Sequence, residues 1–466
     1  MTEWIGTAEA AQRLGIKQAS LYAYVSRGVL TRRRDADGRG SLFDADEITR
    51  LARKGRPRRA PSGAELIIES SLTQITGSHF RYRGHDAVGL ATRRSFEEVA
   101  SLLWTGSLDA ATTAASAGDS SGGMALAGGA EADGLAVGGW WATPSALAAG
   151  TAAQAALPER TLPLERLQVI VPALAATDPL RLQLDRPAVI AAGRSMIAGM
   201  IGCLPRAGEE PALAAHEGSV AGRLAQALCP GRLTAGLVSA VQTALVLVAD
   251  HELAASTLAA RVAASVRADP YAVVATGLGA LGGALHGGAA LGAEVMLGSA
   301  DGPADAPRVV GDLLRRGERI PGFGHFVYKS GDPRAVLLLR VIAEHAPDSP
   351  RLAVSRAVLA EAHRRALPEP NIDFALATLA AVAGLVAGAG EAIFAVARTA
   401  GWIAHAMEEY DRNAPIRPRS VYTGPEPLPD SEQLPDSEPL SDSEPLPDSE
   451  AVPAATGRGP AEHGTS

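Results

Sequence analysis

Ten histidines occur in the 466-residue chain, and three sit where an imidazole could act on a ligand. His251 lies in Ala249-Asp-His-Glu-Leu253, inside an apolar helical run. His286 lies in Gly282-Gly-Ala-Leu-His-Gly-Gly288, and His325 ends Pro321-Gly-Phe-Gly-His325. Neighbouring glycines let a ligand approach the backbone. An imidazole changes charge near neutral pH, so it can give or take a proton. One such histidine alone reads as a packed core residue. Three, with an acid and several arginines in similar settings, point to chemistry. A metal site is not expected: there is no HExxH, no histidine pair at i,i+4 and no Cys/His ligand spacing. Gly277-Leu-Gly-Ala-Leu-Gly282 fits GxGxxG, but its surroundings are helical rather than βαβ, so dinucleotide binding is not expected either. No Gly run is followed by GK[ST], which removes the P-loop.

The elements that must position these residues are mostly helices. The chain is 47% hydrophobic, 20% charged and only 4% aromatic, rich in Ala, Leu and Gly, which favours closely packed helices. From Ser95 onward helical periodicity prevails: 162–276, 308–366 and 375–409 read as successive helices with Pro and Gly breaks. Residues 67–80 suit a short hairpin. The stretch 108–147, rich in Gly, Ala and Ser, has no periodicity and reads as a loop. At the N-terminus, 7–15 suits a short helix with Thr7 as its cap, and Ile16-Lys17-Gln18 a tight turn. Residues 19–27 suit a second helix ending at Gly28. Leu30–Phe43 suits a hairpin about Asp37-Gly38, and 44–54 a third helix capped by Asp44. These are the parts of a winged helix-turn-helix. Residues 56–63 form a basic, Pro-containing linker. After Tyr422 an acidic six-residue repeat begins at Leu428, Leu434, Leu440 and Leu446; it cannot build a core, and 425–466 is expected to stay disordered.

Charge is unevenly placed. The net charge is −8, yet residues 1–60 hold 13 Lys/Arg against 7 Asp/Glu, and 425–450 hold nine acids and no base. The lysines are Lys17, Lys54 and Lys329, so each position is informative. Two cysteines, Cys203 and Cys229, make no disulfide framework and read as reduced core thiols. The start MTEWIGTAEA has neither a basic n-region nor an apolar h-region, and no stretch is long and apolar enough to span a bilayer. A soluble cytoplasmic protein is expected.

Six ordered segments then carry a resemblance: 69–86, 249–261, 283–288, 319–334, 370–374 and 397–424. Together they resemble the citrate synthase and 2-methylcitrate synthase family over residues 64–424. The resemblance implies a mainly α fold, with a large domain at 64–285 and 395–424 and a small domain at 286–394 that closes over the substrate. It implies condensation of acetyl-CoA or propionyl-CoA with oxaloacetate, then thioester hydrolysis, with no cofactor beyond the CoA co-substrate. Such a reaction needs a carboxylate to take an α-proton and a donor to meet charge on the thioester oxygen. By resemblance, Asp373 is the base, His286 that donor, and His325 the donor to the 2-oxo carbonyl. His251, Arg334, Arg398 and Arg417 bind the 2-oxo acid, Arg417 reaching across a homodimer. Lys329 and the Ile320, Gly322 and Gly324 backbone contact CoA. The chain departs from the family at Ala290 and Leu291 (usually Asn-Glu), at Phe326 (often Arg) and at Ala254 (usually Asn). Residues 1–55 resemble the MerR/excisionase class. That implies DNA contacts from Gln18, Tyr22, Arg32, Arg33, Arg34 and Arg39, and an alternative role as a DNA-binding regulator that senses CoA esters or 2-oxo acids.

Overall fold

A 24-residue helix, Ala389–Arg412, forms the centre of the larger unit, with nearly every side chain from Ala389 to Tyr410 buried. Its composition goes far to explain this: from Ala389 to Met407 it is mostly Ala, Gly and large apolar residues, so most of its circumference packs on other helices, with Glu391, Arg398 and His405 buried among them. The structure, a computed structural model, describes residues 4–14, 21, 25, 30–35, 41–54, 68–77, 79–108, 135–137, 139–208, 218–232, 234–420 and 422–424. The chain divides into two compact units, Leu66–Arg417 and Met1–Glu65 with Pro418–Ser466.

In the larger unit, helices Phe96–Thr105, Arg186–Cys203, Ala235–Val248, Ala255–Ser265 and Pro270–Leu281 pack on the central helix. Small residues set their spacing. A Cβ on Gly277 would lie 2.7 Å from the Trp402 ring, so the GxGxxG-like run serves helix contact within Pro270–Leu281. A second apolar cluster gathers Ala293, Met296, Val309, Val310, Val354, Val358 and Phe374 from helices Gly288–Gly298, Ala306–Arg315, Pro350–Arg364 and Ile372–Ala383. Among the described residues no helix is long and apolar enough to cross a membrane.

Two sequence expectations need revision. The hairpin expected at 67–80 is a three-stranded antiparallel sheet, β4 (Thr73–Thr76), β5 (His79–Tyr82) and β6 (His85–Asp86), because Gly84, at φ +84°, turns the chain once more. The 108–147 stretch ends in order: β7 (Leu135–Val137) pairs with β8 (Trp140–Ala142), and a helix starts at Pro144. Trp140 supplies the reason. Its ring is buried against Trp104 at 5.4 Å, which anchors an otherwise weak segment. Residues 109–134 lie outside the described residues.

In the smaller unit, β1 (Trp4–Gly6), β2 (Arg32–Arg34) and β3 (Ser41–Asp44) form an antiparallel sheet of order β1-β3-β2. Helix Thr7–Leu14 follows β1 directly. Thr7 does not cap it; its hydroxyl donates to the Ser41 carbonyl at 3.2 Å and ties helix to sheet. Asp44 does cap Ala45–Lys54, its Oδ1 accepting from the Asp46 and Glu47 amides. Ile5, Ala10, Leu21, Leu30, Phe43 and Ile48 form its core. Most of the second helix expected at 19–27, and the acidic repeats, lie outside the described residues.

Candidate active site

One cleft of about 400 Å³ is lined by His251, His286, His325, Arg334, Asp373 and Arg398, drawn from five segments of the larger unit. Ile75, Leu285, Phe326, Val327 and Phe394 supply its apolar wall.

Asp373 stands in the first turn of Ile372–Ala383. The cap is Asn371, whose Oδ1 accepts from the Asp373 amide at 2.9 Å, so the Asp373 carboxylate is not used up as a cap. His325 is brought to it from 48 residues away by a backbone zip. Gly324 N–H donates to the Glu369 carbonyl at 2.8 Å, Asn371 N–H donates to the Gly322 carbonyl at 2.9 Å, and Asn371 Nδ2 donates to the Gly324 carbonyl at 2.8 Å. Gly322 must be glycine for two reasons: its φ is +79°, and a Cβ would lie 2.8–2.9 Å from Phe374.

Asp332 binds this part together. It caps helix Pro333–His345, in an Asp-Pro-Arg start suited to that role. Its Oδ1 accepts from Arg334 Nε at 2.9 Å, and its Oδ2 from Arg334 Nη2 at 2.8 Å and from the Ile372 amide at 3.0 Å. The Arg334 guanidinium holds the Asp332 carboxyl below its usual range against the opposing effect of burial.

His325 Nδ1 accepts from the Val327 and Tyr328 amides at 3.0 and 3.3 Å. Burial, with Arg334 beside it, pushes this imidazole down to about 4, so it is neutral at pH 7. With Nδ1 accepting, the single ring proton belongs on Nε2. Nε2 lies 3.3 Å from Arg334 Nη2, so the two nitrogens stand close enough to share one acceptor oxygen.

His286 follows the Pro270–Leu281 helix; its Nε2 stands 2.8 Å from Ser256 Oγ and its ring 5.8 Å from Phe394. Burial and Arg398 push it down to about 4. His251, just after helix Ala235–Val248, is also held well below its ordinary value by burial and by Arg334 and Arg398. Asp373 moves the other way: burial raises its carboxyl from 3.8 to about 7.

Arg398 is 1% exposed and has an unfilled position. Its Nε donates to the Val248 carbonyl at 2.8 Å and its guanidinium lies 4.5 Å over Phe394, but Nη1 has no partner. Burial lowers its pKa from 12.5 to about 10. A buried cation with an unpaired donor, on a residue that lines the cleft, calls for an anion.

The remaining sequence candidates fall elsewhere. Arg417 is exposed and outside this cleft. Lys329 is exposed, donating from Nζ to the His325 carbonyl at 3.3 Å and lying 5.3 Å over Phe326. Ile320 is buried in the second apolar cluster. Arg32, Arg33 and Arg34 form the exposed strand β2; Gln18, Tyr22 and Arg39 lie outside the described residues. Sequence reasoning missed Asp332, Ser256, Tyr328 and a buried network behind the cleft. There Arg261 donates to Glu409 (2.5 Å), Glu408 (2.8 Å) and His405 (2.7 Å), and His405 lies 3.2 Å from Asp250, which also accepts from Thr73. The Asp-Pro-Arg cap was a readable signal for Asp332. The others carry none, because their partners come from distant segments.

Residues 64–419 match the family model described as citrate synthase, C-terminal domain. The chain belongs to the citrate synthase family. A Haloferax volcanii citrate synthase is 41% identical over 196 residues, covering 41% of this chain and 52% of that protein. The chain thus spans about half the length of several curated relatives it matches. A Mycobacterium tuberculosis 2-methylcitrate synthase is 32% identical over 357 residues, covering 74% of this chain and 84% of the relative. The crystal structure of citrate synthase from Thermotoga maritima superposes with a TM-score of 0.60 at 26% identity, covering 80% of this chain and 99% of that one.

Proposed function

We propose that this family member condenses acetyl-CoA, or propionyl-CoA, with oxaloacetate and hydrolyses the thioester, giving citrate, or 2-methylcitrate, and CoA. The supporting observation is the convergence in one cleft of a carboxyl raised to about 7, imidazoles held neutral and a buried guanidinium with an unfilled donor.

Asp373 removes the α-proton of the thioester. A base whose pKa lies near the working pH combines a usable ionised fraction with proton affinity. His286 receives Ser256 Oγ–H at Nε2, which leaves Nδ1–H to donate to the thioester oxygen as the enol forms. His325 donates from Nε2 to the 2-oxo carbonyl oxygen, which becomes the hydroxyl of the product. Arg398 and Arg334 pair with the dicarboxylate, and His251 holds the same substrate. Water then cleaves the thioester. Lys329 and the Ile320–Gly324 segment contact CoA, which is a co-substrate; no further cofactor takes part.

We place the large domain at 64–285 and 395–424 and the small domain at 286–394, which closes on the acyl-CoA and excludes water until carbon–carbon bond formation. A homodimer completes the site with Arg417. An apolar stripe along helix Ala255–Ser265 and its C-cap, with Val262 42% and the cap residue Val266 65% exposed beside Leu258 and Ala263, supports self-association. The two buried free cysteines accord with a reducing cytoplasm. The test is thiol release on mixing acetyl- or propionyl-CoA with oxaloacetate, with Asp373→Ala as control. No release with either ester would defeat the reading.

A second role is compatible with the first. Strand β2 presents Arg32, Arg33 and Arg34 on the edge of a small sheet, an arrangement suited to phosphate contacts from a winged helix-turn-helix at residues 1–55. Salt-dependent, sequence-selective retardation of duplex DNA that shifts with CoA esters would support a regulator that senses metabolites. Absence of retardation at low salt would remove it.

A further inference from the structure

Tyr328 is 4% exposed and touches three of the cleft's binding side chains by three different means. Its hydroxyl lies 2.9 Å from His251 Nε2. Its amide donates to His325 Nδ1 at 3.3 Å, while its ring lies 4.9 Å from the His325 ring at a tilt of 31°. The same ring carries the Arg334 guanidinium at 5.4 Å. His251 and His325 in turn meet edge to face at 5.5 Å, so the two imidazoles and Tyr328 touch pairwise, while Arg334 touches Tyr328 and His325.

We propose that Tyr328 is a positioning residue for the 2-oxo acid: its hydroxyl fixes the tautomer of His251 while its ring and amide fix Arg334 and His325. The inference rests on the condensation reading above and assigns a residue that reading does not use. The hydroxyl has one proton, and His251 Nε2 is a strong acceptor at hydrogen-bond distance. Burial pushes this phenol up to about 12, so the hydroxyl keeps its proton and remains a donor at all working pH values. With Nε2 accepting, the proton of neutral His251 belongs on Nδ1, which is then the ring's donor. Without the hydroxyl, the two neutral tautomers become closer in energy, and only one of them presents that donor.

The ring contributes separately. A guanidinium over an aromatic face is attracted to it, and the attraction is greater where water is excluded. Arg334 is 2% exposed, and Asp332 holds Nε and Nη2, so Tyr328 packs the guanidinium from a face that Asp332 leaves open. Hydroxyl and ring are therefore separable by substitution.

Tyr328→Phe removes the hydroxyl alone and keeps the ring. We expect KM for oxaloacetate to rise roughly tenfold, the size of one lost buried hydrogen bond, with kcat altered far less. The nitrogen-15 spectrum of His251 in the ligand-free protein should move from a single Nδ1–H tautomer to a mixture. Tyr328→Leu removes the ring as well and should lower kcat in addition, because the His325 donor and Arg334 lose their support. Calorimetric titration of oxaloacetate, without any CoA ester, should show the same weakening for Tyr328→Phe. Wild-type oxaloacetate affinity together with an unchanged His251 spectrum in Tyr328→Phe would overturn the inference. If the wild-type protein releases no thiol at all, the condensation reading fails, and the His251 spectrum alone then decides the role of Tyr328.

Discussion

Replacing Arg398 by methionine should make the empty protein more stable and the enzyme far weaker. A pKa falling from 12.5 to about 10 in a fully buried group means that the folded chain penalises the cation by roughly 3 kcal/mol. Substitution also removes the hydrogen bond to the Val248 carbonyl, about 1 kcal/mol, and the contact with Phe394, about 1 kcal/mol. Methionine fills similar length with an apolar, adaptable chain. The net expectation is a gain of about 1–2 kcal/mol, read as a rise of a few degrees in Tm without substrate. Binding should change in the opposite sense. A carboxylate on Nη1 makes a charge-assisted hydrogen bond worth about 1.5–3 kcal/mol, so oxaloacetate should bind roughly ten- to a hundredfold more weakly. Differential scanning calorimetry and isothermal titration read the two effects independently. A variant that binds oxaloacetate normally would refute the argument that Nη1 awaits the substrate. A lowered Tm would show that the guanidinium is satisfied in the empty protein.

Three further outcomes follow from the site. Asp373 carries a folded-state pKa raised above its unfolded value of 3.8, so its contribution to stability is full below that value and is lost as pH rises through about 7. Urea titrations should show that decline in the wild type and not in Asp373→Asn, while kcat/KM climbs over the same interval as the carboxylate forms. Gly322→Ala should destabilise by roughly 2–5 kcal/mol, combining positive φ with a clash against Phe374, and should lower activity even where the fold survives; an unchanged urea midpoint would argue against the zip. Ser256→Ala should reduce kcat about tenfold with little change in KM for oxaloacetate, since the Ser256 hydroxyl hydrogen-bonds to His286; a pure KM effect would contradict the donor role.

The sequence exposed the site's reactive groups better than their supports. His286 and His325 stand among glycines, and Gly322 stands where φ is positive and Phe374 presses close, so composition there reflects geometry directly. The helices were readable because the Ala-rich pattern repeats at helical spacing through 162–276 and 375–409. Ser256, Tyr328 and Asp250 were not readable, because what marks each is a partner 30 to 177 residues away. Residues 135–142 were misjudged for a similar reason: local composition argues for a loop, and the contact between Trp140 and Trp104 overrides it.

Asp332 accepts from Arg334 through its backbone amide, Nε and Nη2, and from the Ile372 amide that opens the helix bearing Asp373. One carboxylate therefore joins Arg334, the proposed cationic anchor, to the helix that carries Asp373, the proposed base. Neither can loosen without the other, so the Arg334 and Ile372 amides should exchange with deuterium at a common rate. Activity lost to mild denaturant should disappear in a single step ahead of global unfolding, with no partly functional species that still grips its 2-oxo acid but cannot enolise the thioester.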